Sequence, residues 1–226
     1  MTKQDVYSQN IKLAADAAIF TVEGGQLMVL MVQIRYPEEY TGKWALPGGL
    51  LADNETSADA VQRVLQVHCN VGNVHVEQLG AFDSLKRDPR SRAVSIVHMA
   101  LVPKLDKPLA VSEKYLDVRW WPVAALPKQV GYDHETVIRA AVERLREKLA
   151  TGDIAWSLLP KEFSLSQLQA VYESVLGRGL DKRNFRKRIL AMGFLAETGK
   201  MSSGGAHRPA ALYRFMKRKT SATEAW

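Results

Sequence analysis

Apolar residues recur along this chain with two periods, and the changes of period mark its elements. Residues 11–22 (IKLAADAAIFTV) and 27–34 (LMVLMVQI) are Val/Ile/Leu-rich runs of strand length, separated by the turn signal Glu23-Gly24-Gly25. A Pro/Tyr/Gly-rich loop at 36–43 and a glycine turn at Pro47-Gly48-Gly49 follow, then a helix over about 56–69. Residues 74–83 and 93–102 read as strands, and 117–121 (DVRWW) as a short one before Pro122. The clearest helix spans 133–149, with Val137, Ala141, Leu145 and Leu149 at i, i+4 and charged residues on its other faces. Thr151-Gly152 ends it, and a domain boundary is placed there, giving units of 1–150 and 151–226.

The second unit has its own pattern. Ser164 and Gln167 have capping-box spacing, and Leu165, Leu168, Val171 and Val175 line one side of the helix they start. Gly177 and Gly179 break it, and Asp181 caps a second helix, DKRNFRKRILAM, ended by Gly193. In that helix Phe185, Ile189 and Met192 form the stripe expected to face the core. FLAETG and AALYRF follow as short strands around the Gly/Ser/Pro-rich tip MSSGGAHRP. Helix, turn, helix and β-wing is the order of a winged helix-turn-helix.

Charge sharpens the division. The net charge is +7, yet residues 1–150 hold 18 basic and 18 acidic residues, while residues 151–226 hold 13 and 6. All the excess lies in the last third, which points to a nucleic-acid-binding part joined to something else, the bland alternative being a soluble basic tail. No apolar run is long enough to span a membrane, and the N-terminus lacks the apolar core of a signal peptide. The single cysteine, Cys69, excludes an internal disulfide framework, fits a cytoplasmic protein, and is expected to be a buried or semi-buried thiol.

The stretch GGLLADNETSADAVQRVLQVHCNV, residues 48–71, resembles the Nudix box, and the resemblance extends over roughly residues 10–130. Gly49, Glu55, Arg63, Leu65 and Val71 fall in the motif's frame, and Asn70 replaces its late glycine. The box carboxylates that converge on Mg²⁺ fall instead at Val64, Val67 and His68. Positions i, i+3 and i+4 share one helical face. Two valines offer that hard cation no oxygen, and a histidine nitrogen suits it poorly. Glu55 and Arg63 are then expected to form an ion pair holding loop to helix. On this reading there is no metal site and no hydrolysis by the family mechanism.

Residues 82–92, FDSLKRDPRSR, resemble the Arg-Asp-Pro-Arg segment of ADP-ribose-type Nudix proteins. Arg87, Arg90 and Arg92 offer forked donors to a pyrophosphate, and Asp83 or Asp88 can accept from ribose hydroxyls. Phe82 ends the strand leading into this loop. Arg35 and Trp44 bracket the pocket edge in such folds, an aromatic there being able to stack on a base. The plainer reading of the arginines is a solvated turn. Trp120 and Trp121 are expected in the core. Asp133-His134 at the head of the long helix either caps it or faces the ligand or a second subunit, capping being the expectation for Asp133.

In the basic helix Lys182, Arg183, Asn184, Arg186, Lys187 and Arg188 are left for the outside, with no acid after Asp181 to balance them. The second helix of a helix-turn-helix is the one that enters the major groove, with Arg reading G and Asn reading A. His207 and Arg208 at the wing tip are placed for the adjacent backbone or minor groove. Lys217-Arg218-Lys219 adds phosphate attraction or is a solubilising tail.

An α/β Nudix-like mixed sheet with helices, followed by a small C-terminal winged helix-turn-helix domain, resembles the Nudix-related transcriptional regulators. The resemblance implies a homodimeric repressor of NAD-biosynthesis genes that binds a double-stranded DNA operator and is released when the N-terminal domain binds ADP-ribose. Sugar effectors also occur among such regulators. The competing expectation is an active hydrolase of ADP-ribose or another nucleoside diphosphate derivative, with Glu55 and Asp53 or Asp59 holding an ion. RNA binding by the same surface lacks an aromatic platform for single strands.

Overall fold

The computed structural model describes residues 10–72, 74–103, 108–151, 158–202 and 209–216. Its first part is built on a seven-stranded mixed sheet. Strands β1 (Lys12–Glu23) and β2 (Gln26–Ile34) form the expected hairpin, with Gly24 and Gly25 at φ +57° and +76° in its turn. A two-residue turn with both φ positive matches the right-handed twist of the strands it joins, and glycine adopts it without Cβ strain. β3 (Trp44–Ala45) pairs with β2, and β4 (Gly48–Leu50) pairs antiparallel with β1.

The glycine turn expected at Pro47-Gly48-Gly49 is therefore a strand. Its glycines serve close approach rather than positive φ: a Cβ on Gly48 would meet Asp16 Oδ1 at 1.8 Å.

Helix α1 (Ser57–Cys69) starts from a capping box in which the Thr56 hydroxyl and the Asp59 carboxylate each accept the other's backbone N–H. It ends at Asn70, which takes the left-handed conformation (φ 57°, ψ 31°) expected of the residue replacing glycine. Ala60, Val61, Val64, Leu65 and Cys69 form its buried side. β5 (Glu77–Phe82) pairs with β6 (Ala93–Leu101), β6 runs parallel to β1, and β7 (Tyr115–Pro122) pairs with β2.

Helix α2 (His134–Thr151) presents the predicted stripe: Val137, Ala141, Leu145 and Leu149 are each no more than 1% exposed. Burying a leucine side chain this fully contributes about 1.5–3 kcal/mol. Gly152 lies outside the described residues. No described helix is long and apolar enough to cross a membrane.

The second part is β8 (Phe163–Ser164), α3 (Leu165–Leu176), α4 (Lys182–Ala191), β9 (Leu195–Met201) and β10 (Ala211–Phe215). Its three strands lie in the order β8-β10-β9. The Ser164–Gln167 capping box forms as read, Gly177 closes α3 at φ +69°, and the Asp181 side chain accepts the Asn184 N–H to start α4. Phe185 and Ile189 face inward as expected, whereas Met192, just past the last helical turn, is 37% exposed.

The two parts share one apolar cluster. It runs from Val29 and Met31 in the sheet through Leu145 and Leu149 of α2 to Leu168, Tyr172 and Phe185. Two polar contacts pin α3 against α2. The Tyr172 hydroxyl donates to the Leu149 carbonyl at 3.1 Å, and Arg146 Nε donates to the Val175 carbonyl at 3.3 Å.

Candidate functional site

Gly48 is the meeting point of the first half's polar residues. The Tyr115 hydroxyl and Lys114 Nζ both donate to its carbonyl, at 3.2 and 2.6 Å, and its α-carbon abuts Asp16. Asp16 is buried, and its carboxylate accepts from Ser95 Oγ at 2.6 Å and pairs with the Arg87 guanidinium. Arg87, 5% exposed, also pairs with Asp133, the residue immediately before α2. His134 completes the group: the Leu46 N–H donates to Nδ1 at 2.9 Å, so the ring proton sits on Nε2, 3.4 Å from Asp16 Oδ2. Burial would raise the Asp16 pKa, but its contacts with His134, Arg87 and Ser95 outweigh it and hold the carboxyl at about 2.

This arrangement corrects two expectations. Arg87 does not present a free fork to a pyrophosphate, because both of its terminal nitrogens are engaged with buried or half-buried carboxylates. The Asp133 side chain does not cap α2. It goes to Arg87, and only its backbone carbonyl accepts from the helix, from the Thr136 and Val137 N–H groups.

The other proposed effector residues divide in the same way. Trp44 is 8% exposed, packed edge-on against Trp121 and covered by the Arg119 guanidinium at 5.1 Å. It is core and presents no free face for a base, a third correction that sequence pattern alone did not give. Arg35 is half-buried and donates to the Tyr115 carbonyl at 3.1 Å. Phe82 packs against the core cluster. Asp88 and Arg90 pair with each other at 2.7 Å, and Asp83 is exposed, with Arg92 donating to its carbonyl at 2.5 Å.

Above this loop lies an aromatic pair that the sequence reading passed over. Tyr40 and Tyr132 stack at 4.1 Å, and the Arg90 guanidinium lies 5.8 Å over Tyr40. Tyr132 holds φ +56°, a conformation costly to a residue with a Cβ, next to the head of α2. Its only sequence signal was its position after Gly131.

The box helix itself does not fit Mg²⁺. Val64 is fully buried, Val67 is 62% exposed with no oxygen to offer, and His68 Nδ1 lies 2.8 Å from Ser112 Oγ. Burial, with the nearby Lys114 and Arg63 charges, lowers the His68 pKa. Glu55 is committed. Its carboxylate accepts from Arg63 Nε and from the Ala52 N–H, both at 2.8 Å, and these bonds hold its pKa at about 2. The expected ion pair between loop and helix is thus present. Among the described residues no three His, Cys, Asp or Glu side chains gather where an ion could sit.

In the second half Lys182, Arg183, Asn184, Arg186, Lys187 and Arg188 are all exposed on α4. Among the described residues no carboxylate pairs with any of the five cations, in contrast to α2, where Arg139, Arg144 and Arg146 each have a glutamate. A cavity of about 280 Å³ lies behind α4, between Arg146, Leu149, Tyr172, Arg178, Phe185 and Arg188. His207, Arg208 and Lys217-Arg218-Lys219 lie outside the described residues.

A mixed sheet carrying a Nudix-type loop and helix, joined through one long helix to a winged helix with an exposed basic face, defines a two-part regulator architecture. Residues 11–141 match the NUDIX domain and residues 155–215 the NrtR DNA-binding winged helix domain, and the chain belongs to this family. It is 33% identical over 208 residues to the ADPR responsive transcriptional repressor NtrR of Acinetobacter baylyi, covering 90% of this chain and 81% of that one. Shewanella oneidensis NrtR complexed with a 27mer DNA is similar at 29% identity and a TM-score of 0.70, covering 90% of this chain and 93% of that one. The NUDIX domain of the same Shewanella oneidensis protein, complexed with ADP ribose, is similar at 29% identity and a TM-score of 0.55. That match covers 64% of this chain and 99% of the other.

Proposed function

We propose that this chain is a transcriptional repressor whose winged helix holds an operator duplex and whose Nudix half releases it on binding ADP-ribose. The observation that carries the reading is α4: five exposed cations with no acidic partner among the described residues, on the second helix of a winged helix. A solvated surface helix ordinarily interleaves its charges, as α2 does, whereas a phosphate-facing one keeps them free. Arg186, Arg188 and Asn184 are the proposed base and phosphate contacts, with Lys182, Arg183 and Lys187 beside them; His207 and Arg208, between β9 and β10 in sequence, are proposed to add to them. The functional unit is proposed to be a homodimer, because two winged helices read two half-sites one helical turn apart. Promoters of NAD-biosynthesis genes are the first operators to test.

The Nudix half is proposed to sense rather than hydrolyse. Positions 64, 67 and 68 supply no carboxylate, and Glu55 is occupied by Arg63. Coupling needs only that ADP-ribose prefer a conformation in which the recognition helices are wrongly spaced. A run of contacts joins the two ends: Gly48 to Asp16, Asp16 to Arg87, Arg87 to Asp133 at the head of α2, and α2 to α3 through Tyr172.

The test is duplex binding by fluorescence anisotropy as a function of salt, for the native chain and for Arg186→Ala/Arg188→Ala. Selective binding is expected, with the variant losing affinity and the slope of log K against log salt falling by about 2. Equal affinity for operator and random duplex, or an unaffected variant, would overturn the reading.

A further inference from the structure

Beside the first glycine of the Nudix frame this chain places a side-chain ammonium. Lys114 reaches from the loop before β7 into the space between β4 and α1. A Cβ on Gly49 would lie 3.1 Å from its Nζ and 3.8 Å from Val64 Cγ2, so the nitrogen and Val64 both flank the first box glycine.

The loop that carries Lys114 is stapled to the end of α1. The Ala110 N–H donates to the Cys69 carbonyl at 3.2 Å, and Asn70 Nδ2 donates to the Pro108 carbonyl at 3.0 Å. His68 Nδ1 and Ser112 Oγ, 2.8 Å apart, add a third tie. All three ties are to residues of the box, and two of them, at His68 and Asn70, use side chains that depart from the family's pattern. The box's own departures from the family therefore help to fix the lysine that stands beside its first glycine.

The ammonium is short of a partner. Of its three N–H groups one is taken by the Gly48 carbonyl, and among the described residues no carboxylate lies within ion-pair distance of it. The nearest acid in the same field, Asp16, is occupied by Arg87, Ser95 and His134. The charged and titratable groups facing Lys114 are Arg63, Asp16, Cys69, Tyr115 and His68, and burial together with Arg63 lowers its pKa. A half-buried cation held beside another cation, with two donors unspent, is arranged for an anion that arrives from outside.

We propose that Lys114 is an anion-binding residue of the Nudix half, its ammonium taking the diphosphate of a nucleotide effector directly and without a divalent ion. The proposal rests on the reading of this half as an effector domain. A lysine is a compact point charge with rotatable donors, suited to a diphosphate that elsewhere would be bridged by metal.

The test is isothermal titration of ADP-ribose into the full chain, in EDTA and in Mg²⁺, for the native protein, Lys114→Met and Lys114→Arg, with thermal unfolding as the check on folding. Native affinity is expected to agree within about twofold between EDTA and Mg²⁺. Lys114→Met is expected to bind at least tenfold more weakly in EDTA, and Lys114→Arg to retain most of the affinity. A folded Lys114→Met that binds like the native chain, or native binding that needs Mg²⁺, would overturn the proposal while leaving the effector reading intact. If the native chain takes no ADP-ribose, that reading fails instead, and titration with inorganic pyrophosphate decides the lysine. Binding in EDTA that Lys114→Met abolishes upholds the anion site; no binding, or binding indifferent to the substitution, ends it. If Lys114→Met does not fold, Lys114→Gln takes its place in the comparison.

Discussion

The guanidinium of Arg87 bridges two carboxylates that lie far from each other in sequence, Asp16 in the first strand and Asp133 at the head of the long helix. One side chain of the loop between β5 and β6 thus ties the central sheet to the element that leads into the winged helix. Removing one member of a buried ion network leaves the others as uncompensated charges, at a cost of about 3–5 kcal/mol. Arg87→Ala is expected to lose stability on that scale in urea unfolding of the full chain. A loss below about 1 kcal/mol would show that the network holds nothing together.

The same network makes stability depend on acid. Asp16 titrates at about 2 in the folded chain, against an ordinary carboxylate value near 4. A depressed folded pKa gives stability that is fully present above the unfolded value and is lost as pH falls through the folded one. The contribution, about 2 kcal/mol on this shift, should therefore disappear between roughly pH 4 and pH 2. Asp16→Asn should be less stable at neutral pH and lose less over that window. Parallel acid limbs for the native chain and the variant would contradict this.

Gly48 and Gly49 separate close approach from turn propensity. An alanine Cβ at 48 would overlap the Asp16 carboxylate at 1.8 Å, whereas at 49 the nearest atom is the movable end of Lys114 at 3.1 Å. Gly48→Ala is expected to cost roughly 1–3 kcal/mol through overpacking, and Gly49→Ala distinctly less. Thermal unfolding midpoints in the reverse order would sink this account of the box glycines.

Cys69 is a packing residue, fully buried on the inner side of α1, and burial pushes its thiol up to about 12. Thiolate is the reactive form, so the folded chain should resist a thiol reagent such as DTNB near pH 8 and react fully only in denaturant. Rapid reaction of the native protein would place this side of α1 in solvent exchange.

How legible all this was depended on whether a feature is local. The β1–β2 hairpin, the Ser164 capping box, the Asn70 cap and the α2 stripe are each set by residues within a few positions of one another, and each forms as read. Two glycines after a proline look like a turn, yet β4 forms there; Gly48 answers to Asp16, over thirty residues earlier, and Gly49 to Lys114, over sixty residues later. Arg87 was misassigned for the same reason, its partners lying 71 and 46 residues away. Lys114 carried no signal at all, since only the folded loop brings it to the box. That positions 64, 67 and 68 hold no carboxylate is read directly from the sequence; the ammonium near Gly49 is not.

The measurement that bears most directly on sensing without hydrolysis follows duplex release and the fate of ADP-ribose in one tube. Operator anisotropy is recorded in Mg²⁺ while ADP-ribose is added, and the same samples are then run on an anion-exchange column. The account predicts that the duplex is released and that ADP-ribose is recovered intact. Steady conversion to AMP with Mg²⁺-dependent turnover, or added ADP-ribose that leaves the duplex bound, would contradict it.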